Sequence, residues 1–460
     1  MQDISGLKIA IFVDRDVTVR HFLDSNIFHK LAKNNELRLV FPPLNDKRIS
    51  SHKNPQRFGI KYNFIKIPER RIQLWKWIFY TKIQSFRFGK DWKSLRKVYS
   101  ISVGYKMKYL FKLAAYPILK ELTIRVLKFI INQYKIEHLE DFVKSFKPDL
   151  LIHPSIFQGV FINELALISK EYNIPYFLLM NSWDNPCLKN TSIYKPTLVG
   201  VWGPQTQYHA IKYMGLEKER VKILGSAQFQ CFKKNNKLSR DEILSIYGFN
   251  DKTTLILYAG SSKENDEFKH LLCLENICRS LNKNLRIIYR PHPWLSDIQT
   301  AKNILNYQSE IIKIDNTMIN FMNMVIKGTI NTFYSTNYEY THDILNASNI
   351  VISPLSTILI EALCHGKEAI CLIPKEEDIG KRFAYWKKLP CFQDVIKAPS
   401  IKTVEKLYEL EEVIKKSYKV CKDAKNIKLN KENASFFVDM RGKSYEDRLQ
   451  DCINQVFSTK

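Results

Sequence analysis

The chain has 460 residues, 45% of them apolar and 25% charged, which is ordinary for a globular protein of two or three domains and excludes a disordered chain. Charge is the unusual quantity, because 71 Lys and Arg against 46 Asp and Glu give a formal net charge of +25. That excess predicts attraction to a polyanion, whether nucleic acid, an anionic membrane or a phosphorylated substrate.

The first half of the chain alternates apolar runs with helical patterns. It opens with MQDISGLKIAIFVDRD, which lacks the basic segment and cleavage site of a secretory signal. Continuous runs of β-forming residues predict strands at 7–13, 37–41, 149–155, 174–180, 197–203 and 220–226. Helical patterns at 19–33, 158–172 and 204–214 lie between several of these runs. This alternation predicts a parallel sheet built from βαβ units.

The stretch 61–130 differs from the rest, because it holds 17 basic and three acidic residues. Aromatic residues are threaded through it: Trp75, Trp77, Phe79, Tyr80, Phe86, Phe88, Trp92, Tyr99, Tyr105, Tyr109 and Phe111. Basic and aromatic side chains together suit the surface of an anionic bilayer. The alternative is a set of helices with buried aromatics and a solvated basic face.

The strand–helix alternation stops at the polar, basic segment 226–240 and then restarts. Strands are predicted at 254–260, 285–293, 310–314, 349–354 and 368–374, and helices at 264–282, 300–307, 356–365 and 401–419. We therefore expect two doubly wound α/β domains, at 1–228 and 240–400, followed by C-terminal helices over 401–460.

The lengths of the apolar stretches and the number and spacing of the cysteines exclude further classes of protein. No uninterrupted apolar stretch approaches the roughly 18 residues of a spanning helix. The nine cysteines are an odd number, and Cys273 and Cys278, the closest pair, have neither metal-site nor redox spacing. We expect reduced thiols in a cytosolic protein without zinc or disulfides.

Three strand ends in the second half carry residues suited to binding phosphate. The first is Gly260, Ser261 and Ser262, where small residues allow close approach of the main chain and hydroxyls can donate. The second is Arg290-Pro291-His292-Pro293, in which prolines fix the main chain beside the imidazole. There His292 can donate to a phosphate, and Arg290 can pair with it or order the loop.

The third strand end is Ser353-Pro354-Leu355-Ser356-Thr357, which opens a helix containing Glu361. Hydroxyls at a helix start favour anions, and a carboxylate one turn further on can accept hydrogen bonds from a ribose. Taken alone, the pattern indicates an ordinary helix cap.

The pair RPHP (290–293) and SPLSTILIEALCHGKEAICL (353–372) resembles the donor-binding half of GT-B glycosyltransferases. It is most similar to the HP-motif group, which includes bacterial Kdo transferases, polysialyltransferases and CDP-glycerol-type polymerases. The resemblance covers about 195–375 and implies that His292, Pro293, Ser356 and Thr357 contact the donor phosphates. It also implies that Glu361 contacts the ribose.

Sugar transfer also needs a general base, which we expect in the first domain. Asp184 is the first candidate, because SWDN (182–185) resembles a stretch of surface-carbohydrate enzymes. Asp14 and Asp16 follow, and His153 comes last. No DxD-like metal site stands out in the donor-binding half, so Arg290, His292, helix dipoles and Lys263 are expected to neutralise the donor without a metal ion or other cofactor.

The resulting expectation is a GT-B-like α/β protein with two Rossmann-like domains facing a cleft and a helical C-terminal tail. The resemblance implies a metal-independent glycosyltransferase that uses a nucleotide-sugar donor and a bacterial surface polysaccharide or glycolipid acceptor. Its expected location is cytoplasmic, peripheral on the anionic inner face of the membrane through 61–130.

Three alternatives remain open at this stage. One is a CDP-glycerol-type polyol phosphate transferase, and another is a non-hydrolysing UDP-sugar 2-epimerase. The third is a nucleic-acid-binding protein, which is disfavoured because no nucleic-acid-binding signature accompanies the charge. We accordingly expect no nucleic-acid partner.

Overall fold

The computed structural model describes residues 4–85, 96, 116–134, 136–155, 157, 159–188, 192, 194–261, 266–281, 283–295, 297–329, 337–374 and 386–458. Contacts within the chain divide it into two units. The first comprises Met1–Gln228, Lys388–Cys391 and Asp439–Lys460. The second comprises Phe229–Lys387 and Phe392–Val438.

The first unit is built on a seven-stranded sheet in which every strand pair is parallel. Its strands are β1 (Lys8–Phe12), β2 (Glu36–Phe41), β3 (Lys61–Phe64), β4 (Leu150–Ser155), β5 (Tyr176–Met180), β6 (Leu198–Val201) and β7 (Val221–Ile223). They lie in the order β3-β2-β1-β4-β5-β6-β7, so the topological switch point falls between β1 and β4.

The second unit is built on a six-stranded, all-parallel sheet. Its strands are β8 (Thr254–Ala259), β9 (Leu285–Arg290), β10 (Ile312–Ile314), β11 (Ile350–Ser353), β12 (Glu368–Leu372) and β13 (Ile401–Val404). Their order is β10-β9-β8-β11-β12-β13, with the switch point between β8 and β11. Two doubly wound sheets are what the alternating sequence pattern predicts.

Helices connect the strands in both units. In chain order they are α1 (Asp16–Thr18), α2 (His29–Asn34), α3 (Glu69–Ser85), α4 (Pro117–Gln133), α5 (Glu137–Phe146), α6 (Ile162–Glu171), α7 (Asn185–Leu188), α8 (Pro204–Met214), α9 (Arg240–Ile246), α10 (Glu267–Ser280), α11 (Ile298–Asn306), α12 (Asn316–Ile326), α13 (Tyr338–Ala347), α14 (Ile358–Cys364), α15 (Pro390–Ile396), α16 (Leu410–Val420), α17 (Ala424–Phe437) and α18 (Tyr445–Ser458). Among the described residues, no helix is both long and apolar enough to cross a bilayer. All nine cysteines are free thiols.

Three local predictions need correction. Residues 401–404 form the edge strand β13 instead of starting a helix, because Ile401 and Val404 are buried against β12. The predicted helix at 19–33 is interrupted: Val19–Leu23 is a π-helical turn, and α2 begins only at His29. The strand β3 was missed because KYNF is short and only partly apolar, as edge strands often are.

The C-terminal tail is divided between the two units. Helices α16 and α17 belong to the second unit, whereas α18 belongs to the first. In α18, Tyr445, Leu449, Cys452 and Ile453 are buried in the same apolar core as β1, β2 and β4. The helix is therefore part of the core of the first unit, although it is the last element of the chain.

The predicted basic, aromatic stretch includes β3, α3 and α4, while 86–95 and 97–115 lie outside the described residues. Helices α3 and α4 pack through Leu74, Trp75 and Ile78 on one side and Ile124 and Ile131 on the other. Trp75 therefore belongs to the core between these two helices. This agrees with the alternative prediction for the stretch, which was a set of helices with buried aromatic residues.

A buried ion pair fixes these two helices to the sheet domain. Arg71 in α3 donates from Nε and Nη2 to the two carboxylate oxygens of Glu164 in α6, at 2.9 and 2.5 Å. Its Nη1 donates to the carbonyl oxygens of Ile131, at 2.7 Å, and Tyr134 at the end of α4. Trp75 Nε1 donates to Glu164 at 2.7 Å. One carboxylate and one guanidinium therefore hold three helices together.

We predict that Glu164→Gln lowers the free energy of unfolding of the first unit by about 3–5 kcal/mol, because it leaves the Arg71 charge buried without its partner. Urea unfolding followed by circular dichroism measures the change. The matched control is Glu140→Gln, which breaks the partly exposed Glu140–Lys144 pair of α5 and should cost about 0.5 kcal/mol or less. Equal effects of the two substitutions would contradict the role given to Glu164.

Candidate functional site

The second unit brings the three predicted phosphate-binding segments to one edge of its sheet. Strands β9, β8 and β11 are direct neighbours, and all three run in the same direction. Gly260 and Ser261 follow β8, His292 follows β9, and Ser356 and Thr357 follow β11. Because carboxyl ends of parallel strands share an edge, these loops emerge side by side at the switch point.

A buried carboxylate lies beneath the loop that follows β8. Glu267, the first residue of α10, accepts hydrogen bonds from the Ser261 main-chain N–H at 2.9 Å and from the Tyr289 hydroxyl at 2.6 Å. Burial raises the pKa of Glu267, and the two hydrogen bonds oppose that rise. A Cβ atom on Gly260 would lie only 2.6 Å from both carboxylate oxygens, so the loop needs glycine at this position.

The imidazole of His292 has a defined tautomer. The main-chain N–H of Trp294 donates to His292 Nδ1 at 3.0 Å, so in the neutral ring the proton is on Nε2. Nε2 is therefore a hydrogen-bond donor at the carboxyl end of β9. This is the chemistry that the RPHP motif predicts for a residue that contacts an oxyanion.

Arg290 has a different environment from the one predicted for a donor-binding cation. It is buried, with Nη1 donating to Asp315 at 2.8 Å and Nη2 donating to Thr341 Oγ1 at 2.9 Å. Its carbonyl oxygen accepts from the Gly260 main-chain N–H at 2.9 Å. These contacts agree with one of the two roles predicted for Arg290, the ordering of the loop. The other role, binding of a phosphate, stays a prediction.

The segment after β11 contributes hydroxyls of different burial. Ser353, the last residue of the strand, is fully buried, and its Oγ has no hydrogen-bond partner within the described part of the chain. Ser356 and Thr357 are partly exposed, and Thr357 is the N-cap residue of α14. Pro293, the fourth residue of the RPHP motif, is also partly exposed in the neighbouring loop.

Glu361 is buried in α14, and its charge contributes to a raised pKa of the Cys231 thiol, for which burial is the larger cause. Next to it, His365 Nδ1 donates to the Glu361 carbonyl oxygen at 2.7 Å, and His365 Nε2 lies 2.8 Å from His342 Nδ1. Burial lowers the pKa of His365 to about 3. The predicted contact of Glu361 with a ribose stays a prediction, and nothing in the sequence indicated the histidine pair.

The first unit has a related arrangement at its own switch point. Asp14 follows β1 and is buried, and its Oδ2 accepts from the Val160 main-chain N–H in the loop after β4, at 2.7 Å. A Cβ atom on Gly159 would lie 2.2 Å from this oxygen. Asp16 accepts from the N–H and the hydroxyl of Ser50, at 2.8 and 2.9 Å. Both carboxylates therefore order loops.

His153, the last-ranked candidate base, is fully buried in β4. Its Nε2 lies 4.0 Å from Asp14 Oδ2, and its Nδ1 lies 3.3 Å from the Tyr176 hydroxyl. Burial lowers the pKa of His153 to about 4, with Asp14 opposing and Arg15 adding to the shift. The ring is therefore neutral and enclosed near pH 7.

Asp184 is the most exposed of the candidate bases. It lies in the loop after β5 and accepts from Asn185 Nδ2 at 3.2 Å. Asn185 Oδ1 in turn accepts from the N–H groups of Asn181 and Ser182, at 3.2 and 2.9 Å, which closes the loop into a tight turn. The SWDN stretch thus presents a partly exposed carboxylate on an ordered loop.

The structure adds His21 and Asn181 beside that loop. Arg20 Nη2 donates to His21 Nε2 at 2.9 Å, so His21 Nδ1 carries the proton and donates to Asn181 Oδ1 at 2.7 Å. Burial, with the Arg20 charge, lowers the pKa of His21 well below its ordinary value. Nothing in the sequence singles out His21, because its partner Asn181 lies 160 positions further along the chain and reaches it only in the folded protein.

Two predicted residues, Ser262 and Lys263, lie outside the described residues. Within the described ranges, no group of three or more His, Cys, Asp and Glu side chains is arranged to hold a metal ion. The structure therefore places Gly260, Ser261, His292, Pro293, Ser356 and Thr357 at one edge of the second sheet. Asp14, Asp16 and Asp184 follow strands of the first sheet.

No protein-family model matches the sequence, and no curated protein is similar to it. Solved structures are similar over nearly the whole chain. MnaA of S. aureus with UDP has a TM-score of 0.54 at 11% identity, covering 99% of this chain and 98% of its own. The kitacinnamycin glycosyltransferase has a TM-score of 0.52 at 8% identity, covering 98% and 99%.

A third similar structure is the UDP-GlcNAc 2-epimerase of Neisseria meningitidis bound to UDP-GlcNAc, with a TM-score of 0.51 at 10% identity. It covers 99% of this chain and 100% of its own. Together with the two parallel sheets, these similarities show a two-domain α/β fold of the GT-B type, as predicted. The narrower resemblance to HP-motif enzymes stays a prediction.

We predict that Gly260→Ala destabilises the second unit by about 1–3 kcal/mol, because the new Cβ displaces the Glu267 carboxylate from Ser261 and Tyr289. Urea unfolding of a double-mutant cycle tests the cause. In a Glu267→Ala background the same glycine substitution should cost much less, since the carboxylate is gone. An equal cost in both backgrounds would show that Glu267 is not the reason for glycine at this position.

Proposed function

We propose that the protein is a glycosyltransferase that transfers a sugar from a nucleotide-sugar donor to a bacterial surface polysaccharide or glycolipid acceptor. The donor binds to the second unit, and the first unit supplies the general base and the acceptor-binding residues. The observation that carries the proposal is the convergence of three loops at the β9-β8-β11 edge. They bring to this edge the main chain at Gly260 and Ser261, the Nε2–H donor of His292 and the hydroxyls of Ser356 and Thr357.

The chemistry at this edge suits a diphosphate. A histidine N–H and hydroxyls can each donate to its oxygens. The N–H groups of Gly260 and Ser261 already donate to Arg290 and Glu267, so phosphate binding by this loop stays a prediction. In transfer, the acceptor oxygen bonds to the anomeric carbon while the bond from that carbon to the donor phosphate breaks. The nucleoside diphosphate leaves with the electron pair, so donors at its phosphates stabilise the charge that develops.

The fold supports this class of ligand. Among proteins of similar fold, MnaA of S. aureus was solved with UDP and the Neisseria meningitidis epimerase with UDP-GlcNAc. We therefore propose a nucleotide sugar as substrate here. We expect the donor charge to be neutralised by His292, helix dipoles, Arg290 and Lys263, without a divalent metal ion.

The acceptor proton must also be removed, and Asp184 is the proposed base. It is partly exposed on an ordered loop, whereas Asp14 and Asp16 have their oxygens engaged by main-chain N–H groups of neighbouring loops. A carboxylate accepts a proton from a hydroxyl as the hydroxyl becomes a nucleophile. A membrane-bound acceptor would match the proposed docking of the protein, peripherally, on the anionic inner face of the cytoplasmic membrane through 61–130.

A non-hydrolysing UDP-sugar 2-epimerase is the second candidate, and it is favoured by the similarity in fold to the Neisseria meningitidis enzyme. A CDP-glycerol-type polyol phosphate transferase shares the predicted HP motif. The three candidate enzymes are distinguished by the products that each one forms. A glycosyltransferase releases nucleotide from a sugar donor only with an acceptor. An epimerase converts the donor sugar without one, and the third enzyme releases CMP from CDP-glycerol.

We predict that His292→Asn weakens UDP or CMP binding by about ten- to a hundredfold while the fold is retained. Asparagine keeps an acceptor for the Trp294 N–H but has no group at the position of Nε2. Isothermal titration calorimetry measures the affinity, and His292→Gln, which restores an N–H near Nε2, should recover part of it. Wild-type affinity in the asparagine variant would refute the assignment. His138→Asn, an exposed histidine of α5, is the control.

We predict that Asp184→Asn lowers the transfer rate by about a hundredfold or more, because an amide cannot accept the acceptor proton. Donor affinity should stay unchanged, since the donor binds to the other unit. The rate is measured as acceptor-dependent nucleotide release under donor saturation. Unchanged turnover in the Asp184 variant would transfer the role of base to Asp14, Asp16 or another group.

A further inference from the structure

Two cysteines that are far apart in the sequence are in contact within the first unit. Cys187, in α7, and Cys391, near the start of α15, are separated by 204 positions, and their Sγ atoms lie 2.9 Å from each other. Both residues belong to the first unit. Spacing along the chain gives no indication of this pair, because only the fold brings the two thiols together.

Helix α8 positions both cysteines. The short helix α7, which carries Cys187, packs against α8. From α8, the Gln205 side chain donates through Nε2 to the Cys391 carbonyl oxygen at 3.5 Å. A disulfide bond is about 2.05 Å long, so a shift of less than about 1 Å brings the two sulfur atoms to bonding distance. The pair is therefore prearranged for a bond between its two sulfur atoms.

Cys187 lies in the segment that carries the proposed general base. It is three residues after Asp184 and two after Asn185, whose side chain closes the loop after β5 by accepting two main-chain hydrogen bonds. Helix α7 has only four residues, and Asn185 is the first of them. A covalent bond from Cys187 to Cys391 would therefore restrain this loop.

We propose that Cys187 and Cys391 are a redox modification site that forms a reversible disulfide bond, with a peroxide as the oxidant. The Cys187 thiolate bonds to one oxygen of hydrogen peroxide, the O–O bond breaks, and hydroxide leaves and takes up the proton that the thiol released. Cys187 is then a sulfenic acid. The Cys391 sulfur bonds to the Cys187 sulfur, the S–O bond breaks, and water leaves with the Cys391 proton. Two thiols are thus oxidised, and one peroxide is reduced to two water molecules.

The order of these steps follows from the burial of the two side chains. Cys187 is 5% exposed, whereas Cys391 is fully buried, so the small peroxide molecule reaches Cys187 first. Cys391 needs no access to solvent, because the sulfur that it attacks is already in contact with it. Reaction between groups held in contact is much faster than reaction with a second molecule. A sulfenic acid at Cys187 is therefore converted to the disulfide before it is oxidised further.

The alternative is an inert pair of core thiols, since buried cysteines usually react slowly. The experiment that decides between them needs neither nucleotide nor acceptor, because the inference goes beyond the proposed function. The full chain is reduced with dithiothreitol, freed of it, and treated with hydrogen peroxide. The remaining thiols are alkylated under denaturing conditions, and tryptic peptides are identified by mass spectrometry.

We expect the peptides of Cys187 and Cys391 to be joined, lighter than their sum by the two hydrogen atoms lost, and separable by dithiothreitol. Cys391→Ser should give no joined peptides and should accumulate the Cys187 sulfenic acid, which dimedone traps. The matched control is Cys273→Ser, which removes a partly exposed thiol of α10 and should form the joined peptides as the unaltered chain does.

Thermal unfolding followed by circular dichroism measures the restraint. A bond between residues 204 positions apart limits the unfolded chain, so peroxide should raise the unfolding temperature of the first unit by about 5 °C. The same rise is expected in Cys273→Ser and no rise in Cys391→Ser.

Three results would overturn the proposal. The first is that Cys187 and Cys391 remain fully alkylated after a peroxide treatment that oxidises Cys273. The second is that either cysteine of the pair is joined mainly to a different cysteine. The third is an unfolding temperature that does not change although the joined peptides have formed, because the bond would then not restrain the loop.

Discussion

The constraint on which the rest of this structure depends is the parallel pairing of every strand in both sheets. A parallel strand can return only through a crossover, so the loops that follow the carboxyl ends of the strands emerge at the same edge of each sheet. Residues far apart in the chain thereby become neighbours: Gly260, His292 and Thr357 follow three adjacent strands. In each unit, the polar residues at the strand ends lie near one another because all strands of the sheet run in the same direction.

The two units share one arrangement of residues at their switch points. In each unit, a buried carboxylate at the switch point accepts a hydrogen bond from a main-chain N–H group. A neighbouring glycine, which has no Cβ atom, leaves room for that carboxylate. Asp14 with Gly159 and Val160 does this in the first unit, and Glu267 with Gly260 and Ser261 does it in the second. The cost of burying each carboxylate is offset by directed hydrogen bonds. These hydrogen bonds fix the main chain at Val160 and Ser261 beside the strand ends.

The sequence predicted much of this architecture because parallel strands buried on both faces are continuous apolar runs. TLILYA and LRIIYR are such runs, and both are strands at the predicted places. KYNF was missed because it is short and only partly apolar. Val19–Leu23 was predicted as part of a continuous helix, because the apolar pattern does not distinguish a π-helical turn from an α-helical one. The strand ends that carry Gly260, Ser261 and His292 were predictable, since they depend on local sequence. The partners of Arg290 and the role of Glu267 were not, because Asp315, Thr341 and Tyr289 reach them only through tertiary packing.

The position of α18 has a consequence for how the protein is made. The first unit begins at the N-terminus, yet Tyr445, Leu449 and Ile453 of the last helix complete its apolar core. During synthesis, the sheet of the first unit is present long before the helix that covers part of it. The second unit, by contrast, has all its segments by residue 438. Domains usually fold as units in the order of synthesis, but here the N-terminal one is finished last. The nascent first unit must therefore keep its uncovered apolar surface from aggregating until Tyr445–Ser458 has been synthesised.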